Sequence, residues 1–264
     1  RRIIMNIKPY DKTIRDLLGS KRQFLIPRFQ REYSWDKKNY QEFLEDMLGN
    51  LIIKDGRISS SQYFLGTMLF IGNFAEGTEQ EIQVVDGQQR LTTITAMSDI
   101  FLTLGEQILS RQLFAYIMTE DDDGNEVRIL KSKTSYPFFS YFIQDKEKKM
   151  SPDATTEEEH CIKETYEYFR AQLTEAKLKS MLKRKHGSEI VEALSEIDVL
   201  KALRDQVLNS TFISISTTDR EQANKIFEIL NAKGKRLAYI DLIKNKIFEV
   251  LNKVEPADFA EETW

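Results

Sequence analysis

The sequence predicts an α+β fold, a small mixed-sheet core followed by a largely α-helical region, from three patterns of apolar spacing. Two apolar runs, at residues 62–71 and 81–85, have strand length, and the second leads straight into a stretch of helical length and spacing. Beyond about residue 155 the apolar residues recur every three or four positions on a highly charged background. Hydrophobic residues make up 41% and charged residues 30% of the 264, a balance that suits a folded globular chain rather than a disordered one.

Taken in order, Tyr40, Phe43, Leu44, Met47, Leu48 and Leu51 stripe an amphipathic helix over residues 36–53. The run QYFLGTMLFI is apolar on both faces, as in a central strand covered on each side. Residues 81–85 form a second strand, followed by Asp86-Gly87-Gln88-Gln89-Arg90 and the helical stretch LTTITAMSDIFLTL. Residues 120–125 read as a hairpin tip between 114–118 and 127–130. Ile162, Tyr166, Phe169, Leu173 and Ala176 follow helical spacing, as do Ile190, Leu194, Ile197 and Leu200. A strand then alternates Ile213 and Ile215 with Ser214 and Ser216. Two further helices are striped by Ala223, Ile226, Phe227 and Leu230, with Gly234 placed to end the first, and by Ile240, Ile243, Ile247 and Leu251. The reading divides the chain into a core at 1–118 and a helical region at 119–264, packed together because no Pro- or Gly-rich linker separates them.

Bulk properties narrow the function classes. The net charge of −4 is unlike that of a non-specific DNA binder, so any nucleic-acid role must use a local basic patch. Two histidines and one cysteine, Cys161, leave no zinc cluster and no internal disulfide. The longest apolar run is about half the length of a membrane span, and the first residues lack the apolar stretch of a signal peptide, so a cytoplasmic protein with no membrane partner is expected.

The richest motif is VVDGQQRLTT. At a helix start, unpaired amides and the positive end of the macrodipole attract anions, and Gly87 lets a ligand approach the backbone. Arg90 offers a planar fork of donors to phosphate, Thr92 and Thr93 add hydroxyls, and Asp86 is suited to Mg2+ or to orienting a water. Gln88 or Gln89 could position a nucleophilic water. The alternative is a plain helix start, with Asp86 as N-cap and Gln89 as its capping-box partner. A second cluster, IPRFQREYSW, combines arginines with stacking aromatics, equipment for a phosphate and a flat base; alternatively Phe29, Tyr33 and Trp35 are core anchors.

With YFLGTMLF and FEILNAKGKRLAYIDLIKNKIF, these segments resemble the N-terminal domain of GmrSD-type modification-dependent restriction proteins, over about residues 8–251. The resemblance implies a core like that of ParB and sulfiredoxin, in which a Gly-x-x-Arg at a helix start holds nucleotide phosphates; Gly87 and Arg90 match that spacing. It also implies nucleoside triphosphate binding and hydrolysis, with Mg2+, that gates DNA cleavage in phage defence. Asp86, Gly87, Gln88, Gln89 and Arg90 become the nucleotide motif, and Gln30, Arg31, Tyr33 and Trp35 its companion wall. Asn231, Gly234, Asp241, Lys244 and Asn245 match a third element, in which Asn231 and Lys244 would contact nucleotide. The family usually has Tyr where Phe29 stands.

Related proteins continue into a His-Asn-His nuclease domain; nothing here matches one, so the nuclease is expected beyond residue 264 or on a separate subunit. The partners expected are the triphosphate, that nuclease and DNA, modified or unmodified, and the charged helical half offers surface for pairing with a second copy of the chain. A ParB-like module that binds nucleotide or modified DNA without hydrolysis stands as the alternative, and a helical interaction scaffold as a third class.

Overall fold

The computed structural model describes residues 8–73, 81–104, 113–121, 123–145 and 152–232. Six strands form one mixed sheet: β1 (Lys8–Thr13), β2 (Gln23–Ile26), β5 (Phe64–Ile71), β6 (Glu81–Asp86), β9 (Leu130–Ser132) and β10 (Thr211–Thr217), in spatial order β1-β10-β5-β6-β2-β9. The pairs β10–β5, β6–β2 and β2–β9 are parallel, whereas β1–β10 and β5–β6 are antiparallel. The apolar run at 62–71 is therefore a central strand, as its two apolar faces require. β9 and β10 come from beyond residue 118, so the sheet itself ties the two parts of the chain into one core.

Strand alternation sends Phe24, Met68, Phe70, Ile82, Val84 and Phe212 to one face, where the Phe70 ring lies 5.9 Å from Phe24 and 6.5 Å from Phe212. Helix α3 (Gln88–Leu104) contributes Leu91, Ile94, Met97 and Ile100 to the same core, and every residue from 91 to 100 is buried. A helix buried on all sides need not be strongly amphipathic, which is why its polar residues Thr93 and Asp99 are buried too. They meet helix α5 (Glu157–Gln172): Tyr166 donates its hydroxyl to Asp99 at 2.9 Å, and Tyr33 bridges Thr93 at 2.8 Å and Thr165 at 3.1 Å. On the opposite sheet face, Leu69, Ile71, Val85 and Ile215 pack with Ala223, Ile226 and Phe227 of helix α9 (Arg220–Ala232). In β10 it is Ser214 and Ser216 that join Phe212 on the main core face.

Several expected boundaries shift for local reasons. Helix α2 (Lys37–Gly49), capped by Asp36, stops short of residue 53. Ile52 and Ile53 instead enter a hairpin of β3 (Ile52–Lys54) and β4 (Arg57–Ser59), turned at Asp55 and Gly56 with φ of 50° and 72°. An Asp-Gly pair in left-handed conformation matches the twist of a two-residue hairpin. The hairpin near residue 121 pairs β7 (Met118–Glu120) with β8 (Glu126–Arg128), so the strand before the tip begins at Met118, where the expected one ended, and residues 115–117 form a turn instead. After the short α4 (Phe138–Phe142), Ala176 belongs to α6 (Glu175–His186) rather than to α5. The stripe from Ile190 to Leu200 splits into α7 (Ser188–Glu192) and α8 (Glu196–Asn209), because Ser195 caps a new helix by accepting the Asp198 N–H. Gly234 and the expected helix at 240–251 lie outside the described residues.

One buried carboxylate links three segments. Glu158, at the start of α5, accepts the Tyr33 N–H at 2.9 Å and the Thr134 hydroxyl at 2.8 Å. Burial pushes its carboxyl up to about 7, against the pull of those two donors. A raised carboxyl pKa favours the folded state most at low pH, so this contribution is full below about 4.5 and is lost as pH rises to about 7. Urea titrations from pH 4.5 to 7.5 should show wild type losing stability relative to Glu158→Gln, by at most about 3 kcal/mol. Parallel pH profiles for the two proteins would contradict this.

Candidate functional site

β6 ends at Asp86 and α3 begins at Gln88, leaving Gly87 to turn the chain. Its φ is +103°, and a Cβ there would stand 2.8 Å from Cγ of Met68, so both conformation and space demand glycine. The Gly87 carbonyl accepts the Leu91 N–H at 3.0 Å. The amides of Gln88, Gln89 and Arg90, in the turn before it, have no intrahelical partner and point where an anion would be favoured.

Arg90 reaches back across the sheet end. β6 pairs with β5 only as far as Asp86 opposite Leu69, so the carbonyls of Leu65 and Thr67 extend past the ladder. The guanidinium takes the place of the missing strand: Nη1 donates to Leu65 O at 2.6 Å and Nη2 to Thr67 O at 2.7 Å. Nη2 also lies 3.4 Å from Oδ2 of Asp86. Gly66, between the two carbonyls, has φ +96°, and a Cβ on it would sit 3.2 Å from Arg90 Nη1. These bonds use three of the five N–H donors of a guanidinium, leaving Nε–H and one Nη1–H. Arg90 and Asp86 keep 20% and 30% of their side-chain surface exposed, so both can still meet a ligand. Burial raises the Asp86 carboxyl above its ordinary value, while Arg90 and the Gly87 N–H oppose the shift.

The remaining expected site residues divide. Gln89 does not close a capping box: its Oε1 accepts the Ser34 N–H at 2.9 Å and its Nε2 donates to Glu32 O at 2.8 Å. Both partners lie in the loop of residues 27–36, so the motif and the second cluster are physically joined. Gln88 and Thr92 are buried at the same helix start. Tyr33 and Thr93 bond each other inside the core, on the α5 side, rather than forming a wall. Gln30 is buried, and its Oε1 has no hydrogen-bond partner among the described residues. Trp35 packs 5.7 Å from Phe43, and Arg31 is exposed. Asn231 falls at the end of α9 with its side chain outside the described residues, as is all of Lys244.

Two residues join this region without having been singled out in the sequence. Arg220 stands 4.2 Å over the Phe29 ring, bringing the start of α9 to the loop. Glu158 holds the same loop from α5. Among the described residues no three His, Cys, Asp or Glu side chains cluster as metal ligands. A Mg2+ arriving on a phosphate would find Asp86 as its protein carboxylate, a set that suits an ion held mainly by phosphate oxygens and water. No helix among the described residues is long and apolar enough to cross a membrane.

The protein family described as the GmrSD restriction endonuclease N-terminal domain matches residues 14–248. No curated protein matches the chain.

The Gln89 clamp is directly testable. Gln89→Ala removes two hydrogen bonds, and native-state hydrogen exchange should show the Ser34 amide losing roughly tenfold or more in protection while the α3 amides beyond Thr92 hold. Unchanged protection at Ser34 would show that the loop is held elsewhere.

Proposed function

Because the chain belongs to the GmrSD restriction endonuclease N-terminal domain family, we propose that it binds and hydrolyses a nucleoside triphosphate at the first turn of α3 and so gates a nuclease domain or subunit. Membership makes it a restriction-system N-terminal domain, a class compatible with DNA and a nuclease as partners. The observation that carries the finer reading is the turn at Gly87, which presents three free amides beside a half-buried Asp86–Arg90 pair.

In this reading the phosphate oxygens accept the amides of Gln88, Gln89 and Arg90, and the two unused N–H donors of Arg90 close over them. Gly87 lets the phosphate approach the backbone. Gln89 is committed to the loop, which leaves Asp86 and Gln88 to orient the attacking water. Mg2+ supplies charge neutralisation for the phosphates when bound, with Asp86 as its ligand. The gate is mechanical: Gln89 sits in the same turn as the phosphate amides, so occupancy there shifts the loop of residues 27–36, which Glu158 and Arg220 hold from the other side. A ParB-like core, which the sequence resemblance implies, would hold the phosphate at the same turn.

A second reading, nucleotide held without hydrolysis, is favoured by the structural bonds already made by Arg90 and Gln89 and by the single carboxylate. Phosphate release with each of the four common nucleoside triphosphates, with and without Mg2+, separates the two. Wild type should release phosphate from at least one of them, and Asp86→Asn should slow release about a hundredfold while keeping the nucleotide-induced rise in Tm. A rise in Tm without release selects the second reading. Neither rise nor release would overturn both.

A further inference from the structure

The sheet ends at β9, an edge strand, and a cavity of about 420 Å3 opens beside it. Among the described residues, Arg28, Arg128, Lys131 and Lys133 line it, with Glu81 as the one carboxylate and Tyr136 beside them. Lys133 is exposed, and Lys131 gives its ammonium to the neutral Oε1 of Gln23 at 3.0 Å; neither lysine has a carboxylate partner among the described residues. The Arg128 guanidinium lies 6.0 Å from the Tyr141 ring, and its buried Nε has no acceptor among the described residues. Tyr136 leaves 63% of its surface in solvent, unusually open for a large aromatic side chain.

In a chain of net charge −4, four cations around one cavity are a local reversal of sign. We propose that this pocket binds a nucleic-acid strand, with its phosphodiester oxygens against Arg128, Lys131 and Lys133 and an unpaired base stacked on Tyr136. A cationic groove beside an aromatic platform is the combination that holds single-stranded nucleic acid without reading its sequence. Lysines on a free sheet edge also discourage pairing with other chains. That role does not account for the Tyr136 ring left open beside the same cations. None of residues 86–90 lines the cavity, so the pocket stands independently of the triphosphate reading.

The test is fluorescence anisotropy of the full chain with a labelled oligothymidylate and with a labelled duplex, across a salt series. Wild type should bind the single strand more tightly than the duplex. Lys133→Gln should make the salt slope of log K shallower by about 0.7, and Tyr136→Ala should weaken binding about tenfold while Tyr136→Phe preserves it. Both positions are exposed, and unchanged melting curves will show that the variants fold. Excess triphosphate should not displace the strand, and phosphate release should be the same in all variants, which separates failure here from failure at α3. Absence of strand binding by wild type, or wild-type affinity and slope in both Lys133→Gln and Tyr136→Ala, overturns the proposal. So does equal binding of duplex and single strand.

Discussion

Arg90 puts one guanidinium across three elements at once, and the geometry of the sheet end follows from it. Its two short bonds to the Leu65 and Thr67 carbonyls satisfy backbone groups that the end of β6 leaves without ladder partners. Its approach to Asp86 fixes the side chain at the mouth of the turn. Gly66, at φ +96°, leaves Nη1 room that a Cβ would crowd, and the turn itself requires Gly87. Two glycines and one arginine therefore hold the first turn of α3 in place with its amides directed outward.

The same turn is coupled to its surroundings through neutral and buried groups. Gln89 grips the backbone of the loop at Glu32 and Ser34, Glu158 holds that loop at the Tyr33 N–H, and the Tyr33 hydroxyl continues to Thr93 and Thr165. In the proposed reading, an anion at the turn would meet a helix whose Gln89 and Thr93 side chains are already bonded to the loop, the latter through Tyr33 to α5. In that same reading, this buried network is what would carry occupancy of the turn to the loop of residues 27–36.

Much of this was legible in the sequence, but not the partners. A strand, a glycine and a helical stretch located the turn, and Gly87 and Arg90 stood out there by the Gly-x-x-Arg spacing that the family resemblance implies. The acceptors of Arg90 were hidden because they are backbone carbonyls 25 and 23 residues earlier, and any residue type carries a carbonyl. The partners of Gln89 are backbone groups too. Glu158 sits in an acidic run that reads as a solvated helix start, and only the fold buries it against the loop. Tyr33 was legible as either a wall or an anchor, and its hydroxyl between two buried threonines makes it an anchor. The position of β10 between β1 and β5 depends on pairing across about 146 residues to β5 and about 200 to β1, for which local periodicity has no signal.

The central claim is that an anion occupies the first turn of α3 and that Arg90 meets it there. Crystals of the full chain grown with a non-hydrolysable triphosphate and Mg2+ test it most directly. The account predicts phosphate density within hydrogen-bond distance of the amides of Gln88, Gln89 and Arg90, with a guanidinium N–H of Arg90 turned onto it. A triphosphate bound at any other place, with those amides still unmet and Arg90 unchanged on Leu65 and Thr67, would contradict it.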